Sequence, residues 1–522
     1  MVLPKPASRL IANMVDRKPS KDFSTRYSAA KQWRDMVRPK LEEIYSFICP
    51  GRENEFDTNI FTPRDDEPET FISLPEDLSS DFASDIVSYY TPSETMWTEY
   101  MVTTPVPKEA VNQVSEIVGE REESLFDMIQ SSNYNDVAPQ VMFEAAHGTI
   151  AMWVDSAHLS QPVYCETVPP CELLITPGHL GILDRFREKP VMASSLKALF
   201  DGWDVTLEIP AIKKKMDKPG DTCKVCWGFW LDWADPGNPM WRCEITVDGN
   251  RITPDEPLTL GEYAGSCPLL VGRFNPQTNR PWGRGPAWKA LPDMRVYNAV
   301  DEAVLDGLDQ ALRNTVIYAD DGFLDLSEGV DAGRAYPASR GFTRDQIYEM
   351  QKGVNLDTGF FSEDRLEDRL RQRFYQDGPR QRGETPPTAS QWIDERRRVQ
   401  QRLGKPSAPL WREFFMPFVQ RVEYLAIQLG KMDEALTHNE AVISVQPISP
   451  LQKAQNQDKV MVSRSNLGLA FEVFQERVGE FIDPVATFNN IVKTSGDEIT
   501  VIRKEQQQPE GAPPDGSTPP TE

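Results

Sequence analysis

One stretch limits the fold of this chain more than any other: PWGRGPAWKALPDMRVYNAVDEAVLDGLDQALRN, from Pro281 to Asn314. It opens with a tight Gly283-Arg284-Gly285-Pro286 turn. Pro286 suits a first helical turn, where its fixed φ and missing N–H cost nothing. Beyond it, at about 100° per residue, Met294, Tyr297, Val304, Leu305, Leu308, Ala311 and Leu312 share one face. Glu302, Asp306, Asp309 and Arg313 form a neighbouring polar stripe. The pattern predicts a long helix with an apolar and a charged stripe, both of which need neighbours. The plainer alternative is an ordinary amphipathic helix after a loop.

A chain of 522 residues is too long for one compact core, so several lobes are expected. Its apolar share is only 39% and its mean hydropathy −0.49. Small lobes joined by long elements, or a protomer completed by its neighbours, would produce that balance. Twelve Trp and 24 Phe rule out a wholly disordered chain. The net charge of −24 argues against tight nucleic-acid binding, which needs Lys and Arg to displace counterions. It does not argue against a conduit, because an acidic wall repels phosphate and lets a duplex slide.

The organisation along the chain is legible in outline. Residues 25–48 read as an aromatic-rich helix that Pro39 should kink and Cys49-Pro50-Gly51 should stop. Helices are also expected over 77–90 and 108–132. From about 140 to 275 short β-rich runs take over, including Thr149–Val154, Leu173–Ile175, Trp241–Val247 and Leu269–Val271, with Asp248-Gly249-Asn250 as a turn. After the long helix come short Gly-rich pieces over 317–361. A second helix over 362–377 carries Leu366, Leu370 and Phe374 as its apolar row. The break Gly378-Pro379-Arg380-Gln381-Arg382-Gly383 ends it. Thr388 and Gln391 then have capping-box spacing at the start of a third long helix, which Pro406, Pro409 and Pro417 should bend. Residues 450–502 read as a further helical lobe, and the Gln-, Pro- and Gly-rich end as disordered.

No enzyme motif rises above this framework. Cys223-Lys224-Val225-Cys226 lies in a strand-like run, where an odd separation sends the two sulfurs to opposite faces. The other cysteines and the four His (His147, His158, His179, His438) stand apart in sequence, so free thiols are expected rather than a zinc site. Seven cysteines do not suggest a disulfide framework. Gly283-x-Gly285 lacks a third glycine, and Pro286 removes a donor a phosphate nest needs. There is no G-x-x-x-x-G-K-[ST], G-x-S-x-G or H-E-x-x-H. The expectation is no catalytic residue, no metal and no cofactor. Neither a secretory signal nor an apolar run long enough to cross a membrane is visible.

The aromatic-GRGP turn at Trp282 to Pro286, followed by Ala290-Leu291-Pro292-Asp293 and Asn298, resembles the start of the stem in portal proteins (head-to-tail connectors) of short-tailed bacteriophages. So do the Thr385-Pro386-Pro387-Thr388-Ala389 helix start with Leu403-Gly404, and the run from Glu172 through Gly178 and Asp184-Arg185 to Phe200-Asp201-Gly202. The order of elements matches over about residues 25–505. The resemblance implies an α+β portal fold: a mixed α/β wing over 1–285, stem helices over 286–316 and 362–377, and a small α/β clip over 317–361. A tunnel loop over 378–387, a kinked wing helix over 388–445, a helical crown over 446–502 and a disordered tail over 503–522 complete it.

It further implies a cyclic homo-oligomer, dodecameric in the family, at one capsid vertex of the virion and assembled in the host cytoplasm. Double-stranded DNA would be packaged through it by a terminase and later ejected. Tail adaptor proteins, scaffold and major capsid protein would be its other partners, with no membrane involved. Arg380 and Arg382 would contact DNA from the tunnel loop; Glu302, Asp306 and Asp309 would line the channel. Arg365, Arg369 and Arg373, spaced by four, are expected to pair with that acidic row, within or between subunits. Two other readings stay open: a different ring of the head–tail junction such as an adaptor, and a cytoplasmic carboxylate-dependent hydrolase.

Overall fold

The computed structural model describes residues 18–52, 70–93, 96–98, 100–102, 111–156, 162–179, 181–200, 209–218, 220–253, 257–262, 265–312, 316–318, 347–349, 356–376, 402–433, 437–438, 441–442, 445–447, 463–468 and 487. The chain divides into two units, Met1–Pro447 and Ile448–Glu522. In the second, residues 463–468 are helical. Everything below concerns the first, an α+β unit.

Its helices begin with α1 (Lys21–Ile48), capped by Ser20, whose side chain accepts from the Phe23 N–H. The Ser20 N–H is itself held by the buried carboxylate of Glu244 at 2.9 Å, a negative charge where the helix dipole favours one. Pro39 lies inside α1 without breaking it, and Cys49 ends it as expected. Then come α2 (Leu74–Tyr90), β1 (Tyr100–Val102), α3 (Val111–Gln130) and α4 (Tyr134–Phe143). The last was not legible in the sequence: it is short, and Pro139 interrupts its pattern.

The β-rich part follows as β2 (Thr149–Asp155), β3 (Tyr164–Thr167), β4 (Leu173–Gly178) and β5 (Gly181–Met192). Two short helices, α5 (Leu196–Leu199) and α6 (Pro210–Met216), precede β6 (Thr222–Asp232), β7 (Met240–Val247), β8 (Asn250–Arg251), β9 (Leu258–Glu262) and β10 (Leu269–Arg273). Strands β4-β5-β6-β7-β8 form one antiparallel sheet, with β9 also on β7; β10-β2-β3 form a second. The expected turn after β7 is present, with Asp248 and Gly249 both at positive φ.

Strand β6 explains how the larger sheet is held. Cys223, Val225, Trp227, Phe229 and Leu231 join the main core, while Cys226 and Trp230 join Phe23, Ala30, Leu174 and Phe186 in a smaller core under α1. Successive strand residues point to opposite faces, so a strand covered on both sides is apolar at nearly every position. Gly228 sits where the rings of Phe23 and Phe186 cross it; a Cβ there would fall 2.6 and 2.7 Å from them.

The long helix α7 (Pro286–Leu312) appears where the sequence placed it, with Pro292 inside. A strand pair follows, β11 (Val316–Tyr318) with β12 (Ile347–Glu349). The second long helix, α8 (Leu356–Arg373), starts at Leu356 rather than at 362. Its end is a Schellman turn: Gln376 N–H donates to Arg371 O at 2.8 Å and Tyr375 N–H to Gln372 O. The residue that must adopt positive φ there is Tyr375, at 64°, where glycine is usual and a side chain costs about 1–2 kcal/mol.

Pro406 and Pro409, expected to interrupt this helix, lie within continuous helix, and the irregularity is a π-turn just before Pro417. Residues 402–410 are helical, Trp411–Phe415 widen so that Met416 N–H donates to Trp411 O, and α9 (Met416–Gln428) continues. Pro417 has no N–H to return to Glu413, and widening the helix at that point accommodates it. The helix stops at Gln428, short of the expected 445. Gly430 at positive φ closes a second Schellman turn, and the chain leaves through β13 (Thr437–His438), β14 (Ala441–Val442) and β15 (Val445–Pro447), the last paired with β1.

Overpacking a site this tight is costly, whereas alanine in an open helix helps. Gly228→Ala should lower stability by about 1–3 kcal/mol, read as a fall in the first thermal transition. Gly119→Ala, with nothing near its added Cβ, should be neutral or raise it. Equal midpoints for the two would contradict the packing of α1 on β6.

Candidate functional site

The foot of α7 is built from backbone against backbone. Gly283 N–H donates to Thr149 Oγ1 at 3.0 Å, Arg284 N–H to Phe274 O at 3.1 Å and Gly285 N–H to His147 O at 3.0 Å. Phe274 N–H donates to Gly148 O at 2.9 Å across the same knot. An added Cβ on Gly283 would lie 2.0 Å from Gly148 O, and one on Gly285 2.1 Å from Ala146 O. Gly148, at φ +121°, faces the same three residues within 2.6 Å. The glycines of the GRGP turn are thus needed for close approach, and Pro286 starts the helix directly above it.

Beneath the knot lies a buried charged centre. Glu144, 2% exposed, accepts from the Tyr45 hydroxyl and from Arg52 at 2.9 Å. His147 Nε2 lies 3.2 Å from Glu144 Oε2, while its Nδ1 accepts the Thr149 N–H at 3.4 Å. Burial alone would raise the Glu144 carboxyl, but Arg52, His147 and Tyr45 overcome it and hold it down at about 2. The Arg52 guanidinium also stacks 5.0 Å from the Tyr45 ring. His147 links this centre to the knot, its carbonyl accepting the Gly285 N–H.

Above the knot α7 and α8 run antiparallel. Asp293 meets Arg373 at 3.4 Å, and the Tyr297 hydroxyl reaches Glu367 at 3.2 Å. Met294, Tyr297 and Val304 are buried as expected, with Leu366 and Leu370 from α8 and Phe374 just beyond its end. Leu305, expected on the same face, is 47% exposed, and Val296 is 52% exposed. Glu302 lies nine positions beyond Asp293 and Asp306 nine beyond Tyr297. At 100° per residue that is half a turn net, so both carboxylates face away from α8, and both are exposed. Pairing of Glu302 and Asp306 with Arg365, Arg369 and Arg373 inside one protomer, one of the two arrangements expected, is corrected: both carboxylates face away from α8, and Arg373 bonds Asp293 instead.

A family model described as bacteriophage head to tail connecting protein matches residues 20–476. The chain belongs to that family. No curated protein matches it. The connector is therefore a structural protein of the phage head–tail junction, a component of the virion that assembles with itself and with capsid and tail.

In this connector the expected turn residues Gly283, Arg284, Gly285 and Pro286 come together at the knot. Glu302 and Asp306 stand on the free face of α7; Asp309 belongs to the same helix, but its side chain lies outside the described residues. Arg380 and Arg382 also lie outside them. Cys223 and Cys226 are buried on opposite faces of β6, in two different cores. Sequence reasoning missed Gly148, Glu144 and His147. Their signal is the run Glu144-Ala145-Ala146-His147-Gly148 between a helix and a strand, which becomes informative only beside the GRGP turn.

Because the carboxyl of Glu144 is depressed in the fold, its contribution is full above about pH 4.5 and fades as pH falls towards 2. Glu144→Gln should cost about 2 kcal/mol at neutral pH. The variant should also lose less of its remaining stability than the unaltered connector between pH 4.5 and 2. Some acid dependence persists, since Glu166, beside Arg187 and Lys189, is also held at about 2. Parallel stability profiles for the two proteins over this window would contradict the role given to Glu144.

Proposed function

We propose that this connector is the portal protomer of a short-tailed phage. Copies close head to tail into a ring whose channel admits duplex DNA driven by a terminase, retains it, and later releases it. Tail adaptors dock at the segment between α7 and α8, and scaffold and major capsid protein hold the ring at its vertex. The reading is supported chiefly by the α7–α8 hairpin. Two long helices rise from a rigid foot, with exposed carboxylates on the face turned away from α8 and exposed apolar residues at Val296 and Leu305. Such a surface is completed by neighbouring copies around an axis. Family membership supplies the junction; the hairpin favours a portal over an adaptor ring.

Within this reading Glu302, Asp306 and Asp309 keep the channel wall negative, so that phosphate is repelled and a duplex slides. Arg380 and Arg382 follow α8 in sequence and touch phosphate at a constriction without reading bases.

Purified protein should form closed rings, counted in end-on electron-microscopic views and weighed by light scattering. Glu302→Lys, Asp306→Lys and Asp309→Lys together should leave rings intact yet make duplex DNA adhere, with an affinity that falls steeply with salt. Arg380→Ala with Arg382→Ala should preserve rings and impair packaging or retention of DNA of any sequence. A strictly monomeric chain at every salt concentration would refute the portal reading, and unchanged DNA behaviour in the triple Lys variant would remove those carboxylates from the wall.

A further inference from the structure

Glycine would satisfy the turn that ends α8, yet the residue there is Tyr375, at φ +64°. Strain of this kind persists where the surroundings hold the side chain in place. The half-buried ring stacks on Phe82 of α2 at 6.1 Å and meets Phe274 at 6.3 Å. On the far side of residues 377–401 the helix resumes at Arg402, whose guanidinium lies 5.9 Å from the centre of the same ring. That helix is fastened to the three residues Arg273-Phe274-Asn275 as well. Asn275 N–H donates to Pro406 O at 2.8 Å, and Arg273 donates from Nε to Glu413 Oε2 at 2.9 Å and from Nη1 to Arg280 O at 3.0 Å. Phe274 itself belongs to the knot, donating to Gly148 O and accepting from the Arg284 N–H. The end of α8 and the start of the next helix are therefore mounted side by side, on residues that also form the foot of α7. Residues 377–401 leave and return at one place.

We propose that Tyr375 is a positioning residue for that segment: its ring clasps the two ends together on Arg273-Phe274-Asn275, so that Arg380 and Arg382 approach phosphate from a base fixed to the knot. The inference rests on the portal reading, which gives those two arginines their contact with DNA. A segment with free ends samples a wide volume, and each contact it makes carries an ordering cost. Holding the ends in advance removes part of that cost, and residues that bind from a loop depend on the scaffold that presents them. Glycine at 375 would serve the turn better and the clasp not at all. The strained tyrosine is retained for what its ring holds.

The test uses the full-length assembled protein, read for ring mass, for amide exchange over residues 403–408 and for retention of packaged duplex DNA. Tyr375→Phe keeps the ring and should match the unaltered protein in all three. Tyr375→Gly relaxes the backbone while removing the clasp. It should form rings of normal mass, exchange at least about tenfold faster over 403–408, and retain several-fold less DNA. Adding Arg380→Ala and Arg382→Ala to it should cost nothing further, because the ring acts through those arginines. Tyr375→Asn, which also tolerates positive φ, should behave as the glycine variant does and guards against one that fails to fold. Unchanged exchange in both variants overturns the clasp. Faster exchange with full retention, or a loss that adds to that of the arginine pair, overturns its role and leaves the portal reading standing. Failure of both variants to form rings makes the ring a requirement of the fold, and also overturns the proposal. Full retention after Arg380→Ala and Arg382→Ala in the otherwise unaltered protein defeats the DNA contact itself, and this inference with it.

Discussion

The close approach of two backbones, 146–149 and 283–285, is the constraint on which the rest of the structure depends. Neither segment tolerates a side chain at its glycines, because carbonyl oxygens already occupy the space a Cβ would need. Donors and acceptors are matched across the contact, which leaves no room for water and little freedom to slide. A helix of 27 residues projecting from a body acts as a lever, and its direction is set by whatever fixes its first turn. Here that is a knot joined to the end of α4, to the start of β2 and to the strand that ends at Arg273.

Charge is distributed so that the interior uses it to fasten and the outer face of α7 keeps it exposed. Glu144, Arg187 and Arg421 are buried with partners: Arg421 donates to Val154 O, Gly265 O and Ser266 O, and Arg187 bonds Glu172. Buried pairs of this kind cost desolvation and fix geometry more than they stabilise. On α7, by contrast, Glu302 and Asp306 have no role in packing against α8. Exposed carboxylates contribute little to the stability of one protomer.

Much of this was legible in the sequence, for physical reasons that differ from element to element. The helices α1, α2, α3 and α7 are long and periodic, and most of the larger strands sit between clear turn residues. Elements with weak or broken periodicity were missed or misplaced. Helix α4 is short and holds a proline, α8 begins among glycine and aromatic residues, and α9 ends at Gln428, just before Gly430, although apolar residues continue beyond it. The turn Gly283 to Pro286 was read as a turn, yet the reason for its glycines lies in Gly148, more than a hundred residues earlier. Contact between backbones leaves no periodic signal.

Native-state hydrogen exchange, resolved to individual amides, tests the central claim most directly. The Gly283, Arg284 and Gly285 amides lie in a segment without regular secondary structure, so sequence alone would have them exchange like a surface loop. If the knot fixes α7, they should be protected as strongly as the amides of β2 and should open together with them. Exchange at loop rates, while β2 stays protected, would show that α7 is not anchored there and would contradict the account.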